Sequence, residues 1–130
     1  MKVLIRQGKL VNPAGKTSGC KDILIEDGMV TAIGKHLTSR GAKVFHAEDM
    51  IVAPGLFCMH THLREPGRED AETIETASRA AMKGGYTDVC AMPDCNPPID
   101  NQGAVEFIKA IAAKLNSIRV WPVGAGTKGR

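Results

Sequence analysis

Residues 54–67 read PGLFCMHTHLREPG, and this stretch marks a change in the pattern of the chain. Pro54-Gly55 ends the preceding segment, and the apolar run at residues 56–59 is typical of a β-strand that is covered on both faces. His60-Thr61-His62 follows at the end of that run. Because residues i and i+2 of a strand point to the same face, the two imidazoles are expected to lie side by side.

Strands and helices alternate after this stretch. Residues 71–83 have apolar side chains at helical spacing, and Gly84-Gly85 ends the predicted helix. The pattern then predicts a strand at 87–92, a helix capped by Asp100 or Asn101 that runs to about 116, and a strand at 119–123. This order of strand, helix, strand, helix and strand implies an α/β unit with a parallel sheet and right-handed crossovers.

The chain before Pro54 has a different, β-rich pattern. Short apolar runs are separated by strong turn signals, among them Asn12-Pro13 and Asp27-Gly28. Such runs predict a small antiparallel sheet or half of a sandwich. The sequence therefore divides into a β segment at residues 1–53 and an α/β segment at residues 54–130.

Composition excludes several classes of protein. Seventeen Lys and Arg against fourteen Asp and Glu give a formal charge of +3, and these charges are too dispersed to form a nucleic-acid patch. No apolar run approaches the ~20 residues of a membrane span, and the first residues do not resemble a secretory signal. None of the four cysteines forms a C-x-x-C motif, which favours reduced thiols in a cytoplasmic protein.

The two histidines at the end of the first apolar strand are candidate metal ligands. Adjacent imidazoles on one face can chelate a single ion, with Thr61 turned away. The alternative is two polar residues that face solvent at a strand end. An H-x-H motif alone does not decide between a metal site and solvent-facing side chains. The apolar strand before His60 and His62 favours the metal site.

If the strand continues past His62, Arg64 points to the same face as the two histidines. A guanidinium beside a metal site suits bidentate capture of a substrate carboxylate. The alternative is a surface arginine that pairs with Glu65 or Asp70. Pro66-Gly67 then predicts a turn.

A second group of polar residues lies in the proline-rich loop at residues 91–98. In α/β folds, loops at the carboxyl ends of parallel strands build the active site. Asp94 and Asn96 could therefore offer oxygen or amide groups to a ligand. A rigid proline turn with solvated polar tips is the alternative.

Three segments together resemble the amidohydrolase superfamily, and the dihydroorotase family within it. They are PGLFCMHTHLREPG (54–67), AAMKGGYTDVCAMPDCNPPID (80–100) and the N-terminal VLIRQGKLVNP with DILIEDGMVTAIG. Hydantoinases and allantoinases share the H-x-H motif, whereas the L-R-E-P-G segment is more similar to dihydroorotases.

The resemblance implies the first part of a TIM-type (β/α)8 barrel preceded by part of a small β-sandwich. His60 and His62 would ligate zinc, and Arg64 would bind the substrate carboxylate. The reaction would be the reversible hydrolysis of dihydroorotate to N-carbamoyl-aspartate in pyrimidine biosynthesis. Zinc suits this chemistry because it lowers the pKa of bound water and polarises a carbonyl.

Two positions depart from the family pattern. Cys58 stands where the family has aspartate; a thiolate ligand in C-x-H-x-H is conceivable, but a small buried thiol is the favoured interpretation. Asp94 stands where the family has an asparagine that binds the substrate carboxylate. An aspartate there would repel a carboxylate unless it is protonated or paired, although Asn96 could compensate.

The resemblance also implies that the site is incomplete. The family takes further metal ligands and a catalytic aspartate from later barrel strands, so we expect no catalytic residue within this chain and no activity from it alone. Because a TIM-type barrel takes about 250 residues, the length suggests a cut after the third strand. Two alternatives remain: a non-catalytic scaffold that assembles with aspartate transcarbamoylase or with itself, and a hydantoinase or allantoinase.

Overall fold

The structure is a computed structural model that describes residues 1–15 and 17–129. Arg130, the last residue of the predicted α/β segment, lies outside the described residues, as does Lys16. The chain forms two compact units, Met1–Pro54 and Gly55–Arg130. No described helix is long and apolar enough to cross a membrane.

The strands of the first unit are β1 (Lys2–Asn12), β2 (Thr17–Glu26), β3 (Met29–Gly34), β4 (Lys43–His46) and β5 (Ile51–Val52). They form a five-stranded sheet in the order β3-β2-β1-β4, with β5 also paired to β1. Neighbours β1, β2 and β3 are antiparallel, whereas β4 and β5 run parallel to β1. The sheet is therefore mixed, and the prediction of an antiparallel sheet was wrong for its last two strands. The segment between β3 and β4 is long enough to carry the chain from one edge of the sheet to the other, which a hairpin turn is not.

A bulge in β1 shapes this first sheet. The register with β2 shifts between Ile5 and Gly8, and Gln7 takes a left-handed φ of 57°. A Cβ on Gly8 would overlap the side chain of Val52, so glycine is needed for the close approach of β5. Asp22 is buried and accepts hydrogen bonds of 2.9 Å from the backbone N–H groups of Gln7 and Leu37. The bond from Gln7 is the main reason that the pKa of Asp22 lies below its ordinary value.

The elements of the second unit are β6 (Leu56–Thr61), α1 (Ile74–Lys83), β7 (Tyr86–Ala91), α2 (Gln102–Leu115) and β8 (Arg119–Pro122). Its strands form a parallel sheet in the order β6-β7-β8. The order of elements and the parallel pairing agree with the sequence prediction.

Local sequence explains where the two helices begin. Helix α1 starts three residues later than predicted because Thr73 caps it, forming a capping box with Thr76. Helix α2 is capped by Asn101, one of the two predicted caps, whose side chain accepts a 3.0 Å bond from the N–H of Ala104. It ends at Leu115, and the next residue, Asn116, takes the left-handed conformation common after a helix.

The core of the second unit lies between the sheet and the helices. Buried side chains from both helices pack against alternate residues of β7 and β8, among them Ile74, Ile108, Val89 and Val120. The prediction that β6 is covered on both faces was wrong, since Leu56, Phe57 and Met59 are each at least half exposed. β6 is an edge strand, and the two described helices cover only one face of the sheet.

Candidate metal centre

The two candidate histidines lie side by side at the carboxyl end of β6. His60 is in the strand and His62 follows it directly. Their Nε2 atoms are 3.2 Å apart, and their rings meet edge to face with centroids separated by 5.0 Å. Both side chains are exposed, so the paired nitrogens are accessible.

The spacing of these two nitrogens fits a single metal ion. Two imidazole nitrogens at ordinary bond lengths from a tetrahedral zinc stand about 3.3 Å apart, close to the separation of His60 and His62. Imidazole nitrogen is also a donor that zinc commonly takes. Residues 1–15 and 17–129 hold no group of three or more His, Cys, Asp or Glu side chains arranged around one point. The described chain thus offers two nitrogen donors, which is half of a four-coordinate shell.

Asp94 lies against this pair from the proline-rich loop. Its Oδ2 accepts a 2.8 Å hydrogen bond from Nδ1 of His62 and a 2.9 Å bond from Nη1 of Arg64. Because an ionised carboxylate only accepts, Nδ1 of His62 carries the proton. The lone pair of a neutral His62 is therefore on Nε2, which faces His60.

Arg64 lies at the site, but the strand alternation that was predicted to position it is absent. Strand β6 ends at Thr61, and Arg64 takes a left-handed φ of 63°, so strand alternation does not place it. Its ion-pair partner is Asp94 at 2.9 Å, and neither Glu65 nor Asp70 is paired with it. The prediction of an ion pair with Glu65 or Asp70 was therefore wrong.

The neighbouring Glu65 anchors the loop to helix α1. Its Oε2 accepts a 2.8 Å hydrogen bond from the N–H of Ile74, the first residue of the helix. A carboxylate is favourable at that end because the helix dipole and the unpaired N–H groups are positive there. This role was not predicted, because Glu65 is nine residues before the start of the helix and no local pattern links the two.

Direct docking of two loops brings Asp94 to Arg64. The N–H of Asn96 donates a 2.9 Å bond to the carbonyl of Pro66. Gly67 has a φ of 96°, and a Cβ there would overlap the backbone of Asn96. A glycine is thus required where the loops touch, and Asn96 contributes through its backbone.

Cys58 does not share the face of the histidines. The register between β6 and β7 shifts between Cys58 and Thr61, which inserts an extra residue into β6. Cys58 therefore packs against the hydrophobic core, and its thiol donates a 3.3 Å bond to the carbonyl of His60. This position agrees with the interpretation of a small, partly buried thiol and not with a metal ligand.

Asp88 is at the centre of a hydrogen-bonded cluster on the sheet face away from the helices. Asp88 accepts hydrogen bonds from Nε and Nη2 of Arg119 at 2.6 and 2.8 Å, from Nε1 of Trp121 at 2.9 Å and from the hydroxyl of Thr87 at 2.8 Å. The guanidinium of Arg119 is the main reason that the pKa of Asp88 lies far below its ordinary value. The sequence analysis missed this cluster, which the i, i+2 spacing of Arg119 and Trp121 on a strand could have indicated.

Comparison with known proteins identifies the family. A family model described as dihydro-orotase-like matches residues 49–129. The chain is 45% identical over 129 residues to the dihydroorotase of Solibacter usitatus, covering 99% of this chain and 30% of that protein. It is 43% identical over 130 residues to the dihydroorotase of Elusimicrobium minutum, covering 100% of this chain and 30% of that protein. The chain therefore spans about 30% of the length of these curated relatives.

Solved structures of hydantoinases have a similar fold. L-hydantoinase from Arthrobacter aurescens superposes with a TM-score of 0.82 at 25% identity, over 98% of this chain and 28% of that one. Dihydropyrimidinase from Brevibacillus agri NCHU1002 gives a TM-score of 0.68 at 28% identity, over 88% of this chain and 24% of that one. With the family match over residues 49–129, this chain belongs to the dihydro-orotase-like family of cyclic amidohydrolases.

Proposed function

We propose that this chain supplies the first metal-binding and substrate-binding residues of a dihydroorotase-like zinc hydrolase. The reaction is the reversible hydrolysis of dihydroorotate to N-carbamoyl-aspartate, in pyrimidine biosynthesis. The observation that carries the proposal is the 3.2 Å separation of two histidine Nε2 atoms beside the guanidinium of Arg64. The names of the curated relatives support dihydroorotate as the substrate.

Each site residue has a proposed role that its chemistry supports. Nε2 of His60 and Nε2 of His62 would hold the zinc ion. When bound, zinc supplies a water of lowered pKa and polarises the amide carbonyl. Arg64 gives one Nη1 bond to Asp94. The other N–H groups of its guanidinium would bind a carboxylate on the ring.

We also propose that the remaining zinc donors and the catalytic base come from residues outside these 130. The support is that two nitrogens fill half of a four-coordinate shell, and that the chain spans about 30% of its curated relatives. In this proposal the parallel strands β6, β7 and β8 open a (β/α)8 barrel, and the mixed sheet before them belongs to a β-sandwich. The 130 residues alone would then bind zinc weakly and turn over no substrate.

A second candidate is a hydantoinase-like enzyme whose cyclic amide carries no carboxylate. The ion pair between Arg64 and Asp94 favours it, because the positive charge that would attract a carboxylate already has a partner. A substrate panel of dihydroorotate and hydantoin separates the two. Because no turnover is expected from the 130 residues alone, the panel uses the longer protein that contains them. Faster turnover of dihydroorotate supports the first candidate, and faster turnover of hydantoin supports the second.

Zinc titration by calorimetry tests the proposed metal pair. We expect His60→Ala to weaken zinc binding about tenfold or more, because one of the two nitrogen donors is lost. His46→Ala is the matched control, since His46 is an exposed histidine in the other compact unit. Equal zinc affinity in His60→Ala and the parent protein would contradict the proposed metal site. Cyclisation of N-carbamoyl-aspartate by the 130 residues alone would contradict the proposed incompleteness.

A further inference from the structure

We infer that Asp94 is a positioning residue that fixes His62 and Arg64 together, and that it does so at the expense of affinity for a carboxylate-bearing ligand. The inference rests on the proposed function, because it assigns a role within the same site. It differs from the expectation that Asp94 contacts the substrate. The site would be tuned toward holding its metal ion and away from tight binding of an anionic ring.

His62 and Arg64 share one carboxylate oxygen of Asp94. A single atom, Oδ2 of Asp94, accepts from both Nδ1 of His62 and Nη1 of Arg64. The bond to Nδ1 holds the proton on that nitrogen and leaves Nε2 unprotonated toward His60. A carboxylate behind a ligating histidine fixes the ring and raises its basicity, and losing such a partner typically costs 10–100-fold in metal affinity.

The ion pair with Asp94 also changes how Arg64 meets a charged ligand. The carboxylate of Asp94 balances the positive charge of Arg64 beside His62. A ligand carboxylate that approaches Arg64 therefore meets a like charge at close range, which weakens its binding. An uncharged ring of the same shape meets no such repulsion.

The docked loops do not depend on Asp94 alone. Backbone bonding of Asn96 to Pro66 joins the loops, and Cys95, the next residue after Asp94, is buried against the core. Asp94 itself has a side chain that is 38% exposed. Removing its charge should thus leave the loop in place, so that the effects on metal and ligand can be measured separately.

The test compares Asp94→Asn with the parent protein in two titrations. The first measures zinc affinity. The second, at saturating zinc, measures the binding of dihydroorotate and of dihydrouracil, which lacks the carboxylate. Asp70→Asn is the matched control, because Asp70 is exposed and its nearest cation is Arg68 at 3.9 Å.

We expect Asp94→Asn to bind zinc about tenfold more weakly. It should bind dihydroorotate several-fold more tightly, with dihydrouracil unchanged. Asp70→Asn should match the parent protein in every titration. A loss of affinity for zinc and for both rings would indicate a merely structural role and overturn the inference, as would no change in either measurement.

The outcomes also separate this inference from the proposed function. If the parent protein binds no zinc, the proposed function fails and the inference fails with it. If the parent binds zinc through His60 while Asp94→Asn behaves like the parent, only the role of Asp94 is wrong.

Discussion

In the second unit, the pair of Asp88 with Arg119 and the pair of Asp94 with Arg64 differ in almost every respect except their chemistry. Asp88 lies in strand β7, is 5% exposed, and accepts bonds from Arg119 and Trp121 in β8. Asp94 lies in a loop, has a side chain that is 38% exposed, and accepts bonds from Arg64 and His62. One pair joins two neighbouring strands, whereas the other joins two loops at the end of the sheet.

The difference shows what an ion pair needs in order to be available for function. The partners of Asp88 are fixed by strand register, and its two oxygens are both saturated by donors from the protein. Asp94 holds its partners through one oxygen, and those partners keep groups that a ligand can use. We therefore assign the Asp88 pair to stability and the Asp94 pair to the site.

The largest expected effect is on stability, from Asp88→Asn. The asparagine side chain of this variant carries no charge to bind the guanidinium of Arg119. Its N–H groups would also face N–H donors that need an acceptor. We expect a fall in Tm of roughly 10 °C for a chain of this size, measured by thermal unfolding. Asp94→Asn is the matched control and should lower the Tm far less. Equal falls in the two variants would remove the distinction between the pairs.

The same pair should make the protein sensitive to acid. The pKa of Asp88 is lower in the folded state than in the unfolded state, so the pair's contribution is fully present above the unfolded value of about 4. It is lost progressively as the pH falls below that value towards the folded pKa. Urea unfolding at pH 7 and pH 3 should show a smaller loss of stability in Asp88→Asn than in the parent protein. The same loss in both would contradict the assignment.

A glycine substitution separates loop docking from backbone strain. Gly67 and Gly85 have φ values of 96° and 83°, but only Gly67 would bring a Cβ onto the backbone of Asn96. Gly85→Ala should therefore cost about 1–2 kcal/mol of unfolding free energy from the left-handed backbone alone. Gly67→Ala should cost more and also weaken zinc binding, because the loops that bring Asp94 to His62 are pushed apart. If zinc affinity is the same in both variants, the loops do not need this contact.

The smallest expected effect comes from exchanging each arginine for lysine. Arg119 binds Asp88 through two nitrogens, so Arg119→Lys should lower the Tm by a few degrees. Arg64 binds Asp94 through one nitrogen, so Arg64→Lys should leave the Tm unchanged. It should nevertheless weaken dihydroorotate binding, because lysine lacks the fork that suits a carboxylate. A fall in Tm for Arg64→Lys as large as that for Arg119→Lys would argue that both pairs are structural.

Local sequence signals account for much of the second unit. Helical spacing and the cap at Asn101 placed the helices, and the alternation of strand and helix indicated the parallel sheet. The i, i+2 spacing of His60 and His62 also correctly predicted that their rings lie together, although His60 is within the irregular part of β6 and His62 follows the strand.

Non-local packing accounts for what the sequence did not indicate. The extra residue in β6 that turns Cys58 into the core depends on the register with β7 and leaves no local signature. Arg64 and Asp94 are thirty positions apart, and their contact depends on how two loops dock. The exposed face of β6 likewise depends on which elements cover the sheet, which an apolar run alone cannot specify.

The proposed pairing of His60 and His62 on one zinc ion can be tested in crystals of the protein soaked in zinc, with diffraction recorded on both sides of the zinc absorption edge. We expect one anomalous peak within about 2.1 Å of Nε2 of both His60 and His62, with Asp94 still bonded to Nδ1 of His62. Zinc bound elsewhere, or no peak between two histidines that keep their 3.2 Å contact, would contradict it.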